Sequence, residues 1–311
     1  MFTGELISLG VAFSWTLTAL CFEYASKQMG VIALNVLRLG LAILMLGLTL
    51  CFFTGHFFPA GVAPKAWFWL GVSGFVGYVL GDYCLFSSYV VIGSRFGQLF
   101  MTLAPPSAAL AGWLILGERM SWSALLGMIV TLTGIGLSVV GKREEGSGHW
   151  QVKLPLKGIL FGIGAGLGQG FGIVFSKLGM EYYTAGMQGA DSTALFLVPF
   201  ASTQIRALVG VTGFSILLFL SGKGKALLHA FKEKKTMGSA LAGTVFGPFI
   251  GVSFSLMAVQ YTEAGIASTL MALTPVMILA PSFYFFHQKI RVQEVVGALI
   301  SVLGVALFFV G

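Results

Sequence analysis

Charge is scarce in this sequence. Only 9% of its 311 residues are Asp, Glu, Lys or Arg, against about 25% in a soluble domain. So few charges cannot cover a water-exposed surface. Cysteine is scarce too. Cys21, Cys51 and Cys84 all fall in apolar runs with no CxxC spacing, which argues against a disulfide framework or a metal site. They read as small buried apolar residues. Alternation of polar and apolar residues is missing, so no strands are expected. Also absent are a Walker sequence, an HExxH helix and a convergent nucleophile–base set. The chain therefore reads as non-enzymatic, with no cofactor and no metal. The first apolar run lacks a basic leader and a small-residue cleavage signature, and reads as a retained helix.

What is present is length without charge. Hydrophobic residues make up 57% of the chain, in runs of about 20 residues, which match a hydrocarbon core roughly 30 Å thick. The reading is an all-α membrane protein with ten transmembrane helices. The spans are Thr3–Tyr24, Val31–Phe53, Ala66–Val90, Phe96–Leu116, Trp122–Gly141, Leu156–Lys177, Leu197–Leu220, Gly238–Tyr261, Gly265–Phe286 and Val292–Val310. A charged, Gly-rich linker, Lys142–Pro155, divides the chain near its midpoint. The expected halves are residues 1–150 and 151–311, five helices each.

The halves resemble one another. Gln98-Leu-Phe-Met-Thr-Leu-Ala-Pro105 aligns with Ser268-Thr-Leu-Met-Ala-Leu-Thr-Pro275 at a shift of 170 residues. The same shift carries Gly127 onto Gly297, Gly134 onto Gly304 and Glu118-Arg119 onto Gln288-Lys289. Five helices is an odd number, so the second half enters the bilayer from the opposite side. Two inverted repeats of this kind are a common transporter design, with the substrate site between the halves near the midplane.

The net charge of +7 suits membrane orientation and anionic headgroups rather than nucleic acid. Lys27, Arg95, Lys142, Arg143, Lys153 and the basic Lys223–Lys235 loop all fall in odd-numbered loops. The positive-inside rule then places odd loops in the cytoplasm and both termini outside. The expected location is a plasma membrane, a bacterial inner membrane, crossed many times.

The fourth span ends in Gly117-Glu118-Arg119, follows a mid-helix Pro105, and leads into a fifth span marked by Gly127, Gly134 and Gly136. In these features the sequence resembles the EamA-type branch of the drug/metabolite transporter superfamily. The second copy keeps Pro275 but has His287-Gln288-Lys289 where the family often repeats Gly-Glu-Arg. The resemblance extends over essentially the whole chain. It implies export or exchange of small metabolites through a cavity lined by helices one to four and six to nine, braced by five and ten.

Charges inside the spans are few: Glu23, Arg38, Asp82 and Arg206. Each costs at least ~2.5 kcal/mol at the bilayer centre on insertion scales, so each should face a partner or the interior. Arg38 and Asp82 sit at similar depth from one face and can form a buried ion pair. That pair neutralises itself, or with Glu23 it handles protons. Arg206 lies in the second helix of the second half, as Arg38 does in the first, but the position equivalent to Asp82 is Val252. A buried arginine without its symmetry mate is a candidate anion binder; a local clamp to Asp191 or Glu181 is the competing reading. Trp15, Asn35, Tyr78, Gln98, Thr102, Gln169, Ser253, Gln260 and Ser268 are the remaining candidate substrate contacts, each also explicable as an interhelical hydrogen bond. Pro105 and Pro275 interrupt paired helices and are candidate hinges. The Gly158–Gly172 run has GxGxG-like spacing but no preceding strand, so it reads as a close-packing helix face; Gly243, Gly247 and Gly251 read the same way.

The expected function is secondary-active or facilitative export or exchange of small polar metabolites, such as amino acids, by alternating access. Proton-coupled drug efflux and a non-transporting membrane scaffold are the alternatives. The expected partners are a small-molecule substrate, the lipid bilayer and, in the efflux reading, protons. A monomer suffices for this design.

Overall fold

A computed structural model describes residues 3–117, 122–142, 150–152, 154–187, 192–222, 224, 227, 231, 233–261, 270–286 and 290–307. Apolar helices dominate. Helix α1 is Thr3–Met29 and α2 is Val31–Thr54. Next comes a continuous apolar helical stretch, Pro64–Ile115, of 52 residues. At about 1.5 Å per residue it is more than twice the length one crossing requires. Gly93 divides it: its φ of 82° and ψ of 158° suit a residue without Cβ and turn the chain. The two parts are α3 (64–92) and α4 (94–116). Helix α5 is Trp122–Val139, α6 Leu156–Ala185 and α7 Ser192–Leu220. Helix α8 covers 234–261, α9 covers 274–286 with a turn at Ile278, and α10 is Val292–Leu307. Among the described residues, six stretches are long and apolar enough to cross a membrane, and α5 and α10 are shorter apolar helices. Phe52, Leu48, Phe219, Leu220 and Leu303 point outward, as side chains against lipid do.

Three sequence expectations are corrected. Strands were not anticipated, yet β1 (Val140–Lys142) pairs antiparallel with β2 (Trp150–Val152), Val140 opposite Val152. The β-branched residues at the linker's ends lie side by side, so the backbone leaving α5 pairs with its own return. Second, the stretch between the expected sixth and seventh spans, 178–196, is not all linker. Helix α6 continues to Ala185 and α7 begins at Ser192, because a helix keeps its backbone bonds beyond the hydrocarbon edge. Third, Arg95 is not a solvated loop cation. It is buried, with Nη1 3.1 Å from Glu294 Oε2 on α10.

Glycine sets the packing. A Cβ on Gly168 would meet Gly81 Cα at 2.6 Å, and one on Gly172 would meet Gly77 Cα at 2.9 Å. That is the α6 face toward α3. The face toward α4 is Gly162, Gly166 and Gly170, the last facing Ala104 O at 2.6 Å. Close backbone approach is how helices associate in lipid, so the glycine run works as a packing face. Gly243, Gly247 and Gly251 of α8 hold Phe22, Thr18 and Trp15 of α1 in the same way.

Helices α5 and α10 cross antiparallel, and the residues that meet there are related by the sequence repeat. Thr131 Oγ1 donates to Ser301 O at 3.4 Å, and Ser301 Oγ donates back to Thr131 O at 3.3 Å; the two residues are 170 apart. A Cβ on Gly134 would lie 2.6 Å from Gly297 O, and one on Gly304 would lie 2.8 Å from Gly127 O. Exchanging each residue for its counterpart turns one contact into the other. The same shift relates two π-helical stretches, Gly74–Asp82 in α3 and Val245–Gly251 in α8. Such wide turns re-aim side chains and recur at functional sites.

Candidate substrate site

A charged layer lies among α2, α3, α6 and α7. Arg38 is placed by α2, one turn after Asn35. Its Nη2 donates to Asp82 Oδ2, and its Nε donates to Asn35 Oδ1 at 2.9 Å. Asp82 closes the π-helical stretch of α3 and is buried. Its other oxygen, Oδ1, accepts from Gln169 Nε2 of α6 at 2.8 Å; that amide also reaches Gly77 O at 3.2 Å. Aromatic rings enclose the cation: the Arg38 guanidinium carbon lies 4.8, 5.6 and 5.7 Å from the centroids of Phe86, Phe22 and Tyr78. Arg38 and Asp82 thus neutralise each other, and both carboxylate oxygens are occupied.

Arg206 is different. It stands at the midpoint of α7, Ser192–Leu220. It is only 7% exposed. Its guanidinium carbon lies 4.7 Å from the Tyr78 ring centroid. Gly77 makes room for it, since a Cβ there would come within 3.2 Å of Arg206 Nη2. Arg206 Nε and the Tyr78 hydroxyl are both buried without a hydrogen-bond partner among the described residues. Ser202 Oγ, Thr203 Oγ1 and Gln204 Oε1, in the preceding turn, are in the same condition. A cation–π contact is worth about 0.5–2 kcal/mol, whereas burying an ion costs several kcal/mol. The ring alone therefore does not compensate the charge. Arg38, Asp82 and Arg206 together carry one surplus positive charge, and orphaned polar atoms of this kind call for a partner.

Of the other candidates, Asn35 holds Arg38 and donates its own amide to Val31 O at 2.9 Å. Gln98 Nε2 donates to the buried Tyr89 hydroxyl at 2.6 Å. Thr102 donates back to Leu99 O at 2.7 Å within its own helix. The Trp15 indole packs on Gly251. Ser253 Oγ is buried without a partner among the described residues. The Gln260 side chain and the whole of Ser268 lie outside what is described, as do Asp191, Glu118 and Arg119. The described acid, Glu181, makes no ion pair with Arg206.

Glu23 stands apart from the Arg38–Asp82 pair. Its Oε1 is 2.5 Å from Lys27 Nζ, and its Oε2 accepts the Ser94 backbone N–H at 2.7 Å. Glu23 therefore caps the helix that restarts after Gly93, where a carboxylate satisfies an orphan N–H. Pro105 and Pro275 sit at matching breaks. A 3₁₀ turn, Met101–Leu103, precedes the helix carrying Pro105 in its first turn, and Pro275 occupies the first turn of Thr274–Met277. At these positions the missing N–H costs nothing. Sequence reasoning missed the Glu23 cap, the Arg95–Glu294 pair and the placing of Tyr78 between two guanidiniums. Of these only the cap left a trace, the Gly93-Ser94 dipeptide.

Apolar helices of crossing length packed by glycine around a buried charged layer define a multi-pass membrane protein. Comparison narrows the class. The model of the EamA-like transporter family matches residues 2–140 and 156–310, and the chain belongs to that family. An uncharacterized transporter of Archaeoglobus fulgidus is 29% identical over 112 residues, which is 36% of this chain and 38% of that protein. The match thus spans about two-fifths of that relative's length. A protein solved by crystallography shares 16% identity at a TM-score of 0.57, with 98% of this chain and 96% of that chain covered; this likeness concerns the fold alone.

Proposed function

We propose that this membrane transporter exports or exchanges small polar metabolites, such as amino acids, by alternating access between two inverted five-helix halves, residues 1–150 and 151–311. Transport is secondary-active or facilitative. One observation carries the reading: the buried charged layer is built jointly by α2 and α3 from the first half and α6 and α7 from the second. A site shared between inverted halves is what alternating access requires, because rocking one half against the other exposes it to each side in turn. The repeat-related crossing of α5 and α10 supports a pivot there. The matched breaks before Pro105 and Pro275 support bending of α4 and α9.

Purified protein in liposomes, loaded with a labelled metabolite panel that includes amino acids, is expected to give counterflow of at least one solute. Failure to move any solute would favour the scaffold reading. If movement follows an imposed pH gradient and is lost in Asp82→Asn, proton-coupled drug efflux replaces metabolite exchange. The proposed orientation has odd loops in the cytoplasm and both termini outside. A cysteine at Lys232 should then resist a membrane-impermeant thiol reagent in intact cells; ready labelling reverses the topology.

A further inference from the structure

We infer that Arg206 and Tyr78 form the subsite for a single carboxylate group on the transported solute, a deepening that rests on the transporter reading above. Both groups are more than nine-tenths buried, with relative exposures of 7% and 5%. Each presents a donor, Nε of Arg206 and the phenolic hydroxyl of Tyr78, that has no acceptor among the described residues. Their proximity is direct, with the guanidinium carbon 4.7 Å from the ring centroid. A guanidinium edge offers two parallel N–H groups that match the two oxygens of a carboxylate, and a hydroxyl beside it supplies a third donor.

Charge decides the class of ligand. Asp82 cannot serve Arg206 without giving up a partner, because its oxygens are held by Arg38 and Gln169. One positive charge is left over, and one monoanion closes the balance. A phosphate dianion would overshoot it and would lie in the field of the neighbouring Asp82. A neutral amide would leave the cation uncompensated. The site therefore selects an acid over its amide and a carboxylate over a phosphate. Organic acids and the carboxylate end of amino acids share this chemistry.

The test uses the full-length protein in detergent, with thermal unfolding as the readout. The probes are formate, acetate, lactate and L-alanine, the matching amides, and inorganic phosphate. At least one acid is expected to raise Tm in the wild type, while its amide and phosphate do not. Arg206→Lys should weaken the apparent affinity about tenfold through loss of the planar fork, and Tyr78→Phe about threefold to tenfold. Arg206→Gln should abolish the shift. If Arg206→Gln does not fold, Arg206→Lys and Tyr78→Phe carry the comparison. Equal shifts from acid and amide, a larger shift from phosphate, no shift from any acid, or an unchanged response in both conservative variants would each overturn the inference. Its failure is distinguishable from failure of the transporter reading. Liposomes in which Arg206→Gln moves carboxylate-bearing solutes as well as the wild type leave a transporter without this subsite; liposomes in which the wild type moves nothing remove the transporter itself.

Discussion

Arg38 on α2 and Arg206 on α7 are both buried arginines, yet they meet opposite surroundings. Arg38 is bonded to Asp82 and Asn35 and enclosed by Phe22, Phe86 and Tyr78. Arg206 has the Tyr78 ring, and its Nε has no hydrogen-bond partner among the described residues. Asp82 ends the first π-helical stretch, and Val252 follows the second. One buried arginine thus has a carboxylate partner, while Nε of the other has no hydrogen-bond partner among the described residues.

The largest effect expected from disturbing this contrast is Asp82→Asn. It strands a buried Arg38 and should cost ~3–5 kcal/mol, seen as a lower Tm and poor recovery from detergent. Adding Arg38→Leu should restore much of the loss, because the pair can be replaced by apolar groups at little cost. Additive damage in the double variant would dissolve the pair as an energetic unit. Next is Gly297→Val at the α5–α10 crossing. A Cβ there already lies 2.5 Å from Gly134 O, so overpacking should cost roughly 1–3 kcal/mol; unchanged thermal stability would mean the two helices readily part.

Arg206→Gln should leave stability near the wild-type value and lower transport of carboxylate-bearing solutes by more than tenfold, in liposomes. A variant that unfolds, yet transports normally in the surviving fraction, would assign Arg206 to structure instead. The smallest effect is expected from Gln98→Leu. Its amide serves Tyr89, so loss of one net hydrogen bond, about 0.5–1.5 kcal/mol, should lower Tm while transport is kept. A selective loss of transport would return Gln98 to the substrate site.

The Arg38–Asp82 pair was legible in the sequence because intramembrane charges are rare and these two lie at similar depth from one face. The glycine faces were legible because fourfold spacing in an apolar helix has few other uses. Three features were not. The π-helical turns of α3 and α8 arise from packing against α6 and α1, which no local pattern records. Arg95 counted as a loop cation because it follows the break at Gly93, and the sequence does not show Glu294 returning beside it. Tyr78 was one aromatic among many until two helices brought guanidiniums to it. Pairwise depth can be read from spacing; rotation of a helix about its axis cannot.

The contrast between the two arginines is tested most directly by supplying the missing carboxylate. Val252→Asp places a carboxylate at the position that the 170-residue shift makes the counterpart of Asp82. In liposome counterflow with a transported acid, the account predicts that Val252→Asp loses most of its transport while Tm in detergent holds or rises. Undiminished transport of the acid by a stably folded Val252→Asp protein would contradict it, because Arg206 would then be dispensable as the free anion-binding cation.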